Sequence, residues 1–191
     1  MKNEIRSQRS RDAVVNAALT IIVRDGPGRM TLDAIAKESG ISKGGLTHQF
    51  KSKTEVLQAL LDHRIKQFSD FSSQYAATLQ PGHPEPKLSQ NIAALRAAIT
   101  ESAPSSFAIL GALAEDPKLL SQIRDGDVDT LAAIQDEAKD PDLALLRWNA
   151  AWGLVLTALL GLSPLDERQR ERLFERLLDG ERWNHPPMTE S

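Results

Sequence analysis

The sequence predicts an all-α protein, with a three-helix helix-turn-helix head at the N-terminus and a helical bundle behind it, about nine helices in all. Three observations carry that prediction. The long segments place apolar residues at helical spacing, as a one-sided stripe of i, i+3, i+4 and i+7 in the first helix and almost all round in 141–162, which must be covered on two sides. Helix start signals recur, a short polar residue followed by proline or by glutamate three positions on. No stretch alternates apolar and polar residues with the period of a strand. With 41% apolar and 26% charged residues, the chain can bury a core and has a globular rather than a disordered balance.

In the first helix Val14, Ala17, Ala18, Ile21 and Ile22 line one face, and Asp25-Gly26-Pro27-Gly28 stops it. Thr31 caps a second helix with Leu32, Ile35 and Ala36 inward, and Gly40 ends it in a left-handed turn. Ser42 caps a short third helix running to Gln49. Ser52-Lys53-Thr54-Glu55 is a capping box opening a long fourth helix to about Thr78, with Leu57, Leu61, Phe68 and Tyr75 on one face. The run Pro81-Gly82-His83-Pro84-Glu85-Pro86 is a loop. Beyond it the expected helices are 88–100, 104–114, 117–139, 141–162 and 164–179, the last three opening at Asp116-Pro117, Asp140-Pro141 and Ser163-Pro164. The tail 184–191, with Pro186-Pro187, is expected to fray. The domains expected are 1–53 for the head, with the motif at 31–50, and 54–183 for the bundle.

The formal charge of −3 conceals an asymmetry. Residues 1–53 hold ten Lys/Arg against five acids, a net of +5, which leaves −8 on the remainder. A basic head on an acidic body suits a protein that turns one end toward a polyanion. There is no cysteine, so disulfides and thiolate metal sites are excluded, in keeping with a cytoplasmic protein. The polar first dozen residues show no signal segment. The longest apolar run, 150–162, falls short of the roughly 17–25 residues a membrane span needs. A location in the cytoplasm and no membrane partner are therefore expected.

Residues 31–50 read TLDAIAKESGISKGGLTHQF. Ala36 is small where two helices should cross, and Ile41, Leu46 and Phe50 are placed to anchor the third helix. Lys43, Gly44, Gly45, Thr47, His48 and Gln49 are left outward, small enough for a groove and polar enough for base edges or phosphates. Two glycines cost a short helix roughly 1 kcal/mol each against alanine, which a helix serving only to pack would not carry. Lys51 and Lys53 follow at once, where phosphate contacts would fall.

Over about residues 9–62 the pattern closely resembles the tetracycline-repressor family of bacterial regulators. The matching elements are Thr31, the Ala36-to-Gly40 turn, Ile41-Ser42-Lys43-Gly44-Gly45, Phe50 and the Lys53 helix start. The family usually has Tyr-His-Phe where this chain has His48-Gln49-Phe50; the tyrosine typically touches a phosphate, and His48 can donate to a phosphate too. The resemblance implies DNA contacts from Thr31, Ser42, Lys43, Gly44, Gly45, Thr47, His48, Gln49 and Lys53. It also implies a homodimer through the last two long helices, with Leu146, Ala150, Gly153, Leu154, Thr157, Gly161, Leu173, Phe174 and Leu177 at the interface. A palindromic operator follows from that symmetry. A small effector in the larger domain is implied too, releasing the operator by favouring a different spacing of the two heads.

For that effector the candidates are Trp148 and Trp152, one turn apart, with Phe71, Tyr75, Phe107, Asp62 and His63; for the aromatics core or dimer packing is the simpler account, and for Asp62 and His63 a solvated helix surface serves equally. No nucleophile elbow, zinc-protease motif or phosphate loop is present, so no enzyme, cofactor or metal is expected. Asp125-Gly126-Asp127-Val128-Asp129 imitates the start of a calcium loop, but Thr130 stands at the turn glycine. The alternative is a helical adaptor, or a ligand-binding bundle, without specific DNA binding.

Overall fold

A computed structural model of the chain describes residues 2–100, 106, 109–112 and 116–183, and within them every regular element is helical. The long helices are α1 (Lys2–Asp25), α2 (Leu32–Ser39), α3 (Lys43–Gln49), α4 (Lys53–Ala76), α5 (Pro86–Thr100), α6 (Pro117–Glu137), α7 (Pro141–Leu159) and α8 (Glu167–Leu178). Residues 106 and 109–112 are helical as well. The remainder of the segment expected at 104–114, Phe107 included, and the tail 184–191 lie outside the described residues. Among the described residues no helix is long and apolar enough to cross a membrane, and no group of histidines and carboxylates could hold a metal ion.

The chain divides into two compact units, Met1–Lys66 with Pro104–Ile123, and Gln67–Ala103 with Arg124–Ser191. The first unit is organised around the buried stripe of α1, where Val14, Ala18, Ile21 and Ile22 meet Ile35 of α2 and Leu46 of α3. It reaches beyond residue 53 because the start of α4 is apolar: Val56, Leu57, Ala59, Leu60 and Leu61 are all buried in the same core. Met30, before α2, and Phe50, after α3, are 1% exposed and belong to the same core.

In the second unit α5 packs on α7 and α8. Leu88, Ile92 and Leu95 of α5 meet Trp148, Ala151 and Val155 of α7 and Phe174 and Leu177 of α8. The proline starts at 117 and 141 are realised, and the Asp140 side chain accepts the Leu143 N–H as an N-cap. The third proline start is not. α8 opens at Glu167 because Asp166 and Gln169 form a reciprocal capping box, while the Ser163 hydroxyl accepts the Leu165 N–H in a preceding turn. α7 ends at Leu159, three residues short of expectation. Gly161, at φ +66°, reverses the chain there, so that the Leu162 and Ser163 N–H groups both return to the Thr157 carbonyl. α4 likewise stops at Ala76, and α5 starts at Pro86.

Among the described residues, one charged pair lies inside this unit. Arg147 of α7 is 2% exposed and reaches Glu85, which is 6% exposed. Its Nη1 donates to Glu85 Oε2 at 2.5 Å, and its Nε and Nη2 donate to the Leu177 carbonyl at 3.1 and 2.7 Å. Leu177 lies in the last turn of α8, where carbonyls have no partner within the helix, so the guanidinium satisfies that end as a cationic cap. The indole of Trp183 lies 5.9 Å from the guanidinium and donates to the Arg176 carbonyl, closing the site over.

Candidate nucleic-acid interface

Caps set the ends of the two helices of the motif. The Thr31 hydroxyl accepts the Ala34 N–H at 3.1 Å, and the Ser42 hydroxyl accepts the Gly45 N–H at 3.2 Å. Gly40 stands between them at φ +68°, a conformation that side chains with a Cβ rarely adopt. Leu46 and Phe50 then hold α3 by its inner face. What remains outward is Lys43, Gly44, Thr47 and His48, at i, i+1, i+4 and i+5, a single exposed strip.

Within the strip the Thr47 hydroxyl donates back to the Lys43 carbonyl at 3.0 Å, leaving its oxygen lone pairs and methyl for a ligand. The Lys43 ammonium pairs with Asp33 of α2 at 2.7 Å, with both side chains about 70% exposed. Gly44 has no heavy atom within 4 Å of where a Cβ would sit. Gly44→Ala should therefore raise thermal stability, by up to about 1 kcal/mol through helix propensity, while weakening DNA binding if the backbone must approach a groove there. A melt and a binding isotherm on one variant check both signs, and a gain in both would show that Gly44 is no contact point.

Three of the residues expected to face DNA are turned elsewhere. Gly45 is half-buried, and a Cβ on it would come within 3.2 Å of Ile41 Cγ2 and of the Ser42 hydroxyl, so it serves the packing of the turn. The Gln49 Nε2 donates to the Ser10 hydroxyl of α1 at 2.9 Å and its Oε1 is buried, because its place on the helix faces α1 rather than solvent. The Lys53 Nζ donates to the Pro27 carbonyl at 3.2 Å and is half-buried, tying α4 to the turn after α1. At this helix start the Ser52 hydroxyl accepts the Glu55 N–H, while the Glu55 carboxylate returns to the Lys51 N–H, one residue earlier than a standard box. Two participants escaped the sequence reading. Arg11 stacks over the Phe50 ring at 4.7 Å, and Asp33 holds Lys43. Neither pairing has a sequence spacing that announces it, since each joins separate helices.

The effector candidates fall into both units. Trp148 is buried in the second core with Trp152 edge-on to it at 6.0 Å, and Phe71 and Tyr75 are half-buried on α4. Asp62 is exposed in the first unit, accepting from Gln58 at 2.8 Å and Gln122 at 3.2 Å, and His63 is exposed beside it. Nearby, burial lowers the pKa of the Arg64 guanidinium, whose Nη2 donates to the Ser106 hydroxyl.

Of the residues expected at a dimer interface, Leu146, at 67% exposure, Ala150, Gly153 and Thr157 share an exposed face of α7, and Leu173 is exposed on α8. Leu154 is half-buried against the second core. Phe174 and Leu177 are not available to a partner. They fill the subunit's own core at 0% and 6% exposure, because the amphipathic stripe of α8 turns inward. Gly161 is exposed but sits past the end of α7, where its conformation rather than a close approach accounts for it.

Two family models match the chain. The model described as bacterial regulatory proteins of the tetR family covers residues 14–60, and the one described as a tetracyclin repressor-like C-terminal domain covers residues 88–180. The chain belongs to the tetracycline-repressor family. The exposed strip of Lys43, Gly44, Thr47 and His48 lies within the residues that the first of these models covers. Among curated relatives, the HTH-type transcriptional regulators SrpR and TtgW of Pseudomonas putida are each 36% identical over 63 residues, 33% of this chain. That match spans only 30% of SrpR and 47% of TtgW. Solved structures share the fold over most of the chain. A regulator from Saccharomonospora viridis in complex with choline superposes with a TM-score of 0.70 at 16% identity, over 93% of this chain and 97% of that one. A tetR-family regulator from Rhodococcus sp. does so with 0.66 at 18% identity, over 89% and 95%. The multidrug-binding protein EbrR in complex with ethidium reaches 0.61 at 18% identity, over 88% and 98%.

Proposed function

We propose that the protein is a ligand-responsive transcriptional repressor that binds a palindromic operator as a homodimer and leaves it when a small molecule occupies the second unit. The observation that carries DNA binding is the exposed strip Lys43, Gly44, Thr47 and His48 on a capped seven-residue helix in the basic third of the chain. Dimerisation rests on the aliphatic face of α7, where Leu146, Ala150, Gly153 and Thr157 stand outward, with Leu160 exposed at the helix's C-cap. Two such faces packed isologously set the heads on a two-fold axis, and a palindromic site mirrors that symmetry. An organic effector is in keeping with the choline and ethidium bound by relatives of the same fold. The Trp148–Trp152 pair, with Phe71 and Tyr75, is the aromatic material the second unit offers it. The effector acts only if it binds the released arrangement more tightly than the operator-bound one.

The test is a mobility shift with the DNA upstream of the protein's own gene, at fixed salt and against nonspecific competitor. A sequence-specific complex containing two subunits is the expected result. Failure to retain any genomic fragment at low salt and without effector would favour a bundle without specific DNA binding.

A further inference from the structure

Asp33 is an acid on the strip's own border. It occupies the first turn of α2, in a segment where bases outnumber acids two to one, and its Oδ1 lies 2.7 Å from the Lys43 ammonium. Lys43 is the first residue of α3, where a cation opposes the helix dipole, so helix stability does not account for it. Nor does the pair hold the fold to any extent. Its side chains are 71% and 69% exposed, and exposed pairs of this kind contribute little. The consequence of the pair falls on whatever approaches Lys43 from outside. A phosphate reaching that ammonium meets a carboxylate already bound to it.

We propose that Asp33 is a specificity-determining residue that masks Lys43 from phosphates encountered at random. This rests on the DNA-binding reading above. Nonspecific binding is almost wholly phosphate charge, whereas specific binding adds contacts to base edges. The ratio between the two widens when the operator's base-edge contacts draw the Lys43 ammonium off Asp33 and a random phosphate does not, so that the carboxylate's cost falls mainly on the nonspecific complex. Because the competitor is internal, it also removes one counterion from the release that accompanies binding.

Asp33→Asn keeps the Thr31 cap and the side-chain volume while discarding the charge. Its nonspecific affinity is expected to rise about fivefold, with a smaller gain on the operator. The plot of log affinity against log salt should steepen by about 0.9, the release of one more ion. In a Lys43→Gln background the same substitution should leave the slope unchanged. An unchanged slope and affinity for Asp33→Asn, with wild-type operator binding intact, would overturn the proposal and spare the DNA-binding reading. An equal effect in the Lys43→Gln background would overturn it too, by showing a diffuse charge effect. Absence of DNA binding by both proteins would remove the two readings together.

Discussion

Arg147→Ala is expected to destabilise the protein by about 3–5 kcal/mol, the range for removing one partner of a buried ion pair. The guanidinium makes three hydrogen bonds with almost no exposure to water. Its loss strands the Glu85 carboxylate in a site sealed by α7, α8 and Trp183, and it also strands the Leu177 carbonyl at the end of α8. For a chain of this size, each kcal/mol moves the melting midpoint by roughly 2–4 °C, so a fall of about 6–20 °C is expected in a thermal melt. The double variant Glu85→Gln, Arg147→Met should recover much of that, since no unpaired charge is then buried. If Arg147→Ala melted within a degree or two of the parent, the site would have to be open to water, contrary to the burial of both side chains.

Ala150→Glu is expected to leave the subunit folded and to abolish pairing. Ala150 is exposed at the centre of the aliphatic face of α7, so a carboxylate there costs the isolated subunit little. In an isologous interface each copy meets its symmetry mate near the axis, which would bring two added charges together in a desolvated setting. Sedimentation should show a monomer with unchanged helical circular dichroism. Operator affinity should fall by about 10²- to 10⁴-fold, the advantage lost when the second half-site is no longer engaged in tandem. A variant that still sedimented as a dimer would move the interface to another surface.

The helices were legible where local chemistry decides them. Thr31, Gly40, Ser42 and Asp140 act at helix ends as their residue types foretell. The start of α8 is ambiguous in sequence because Ser163-Pro164 and Asp166 both offer caps, and only the latter has a glutamine three residues on to reciprocate. The exposed strip of α3 is readable from periodicity, but the part-buried settings of Gly45, Gln49 and Lys53 are not. Their contacts are with Ile41, Ser10 and Pro27, and which polar side chain turns inward depends on how far a neighbouring helix extends over it. Phe174 and Leu177 carry the same lesson. An amphipathic stripe announces that a face is covered without saying whether the cover is the same chain or a second copy. The Arg147–Glu85 pair spans 62 positions and has no sequence signature at all.

The exposed face of α7 has one more effect, on dosage. When the form that occupies DNA is assembled from two copies through that face, and subunits are scarcer than the pairing constant, occupancy follows the square of their number. Halving expression then cuts a low occupancy to a quarter of its former value. On the proposed pairing, the hydrophobicity of Leu146, Ala150 and Leu160 would set the abundance at which that steep response gives way to a linear one. A small change of side chain there would retune the regulated promoter without altering the part of the protein that reads DNA.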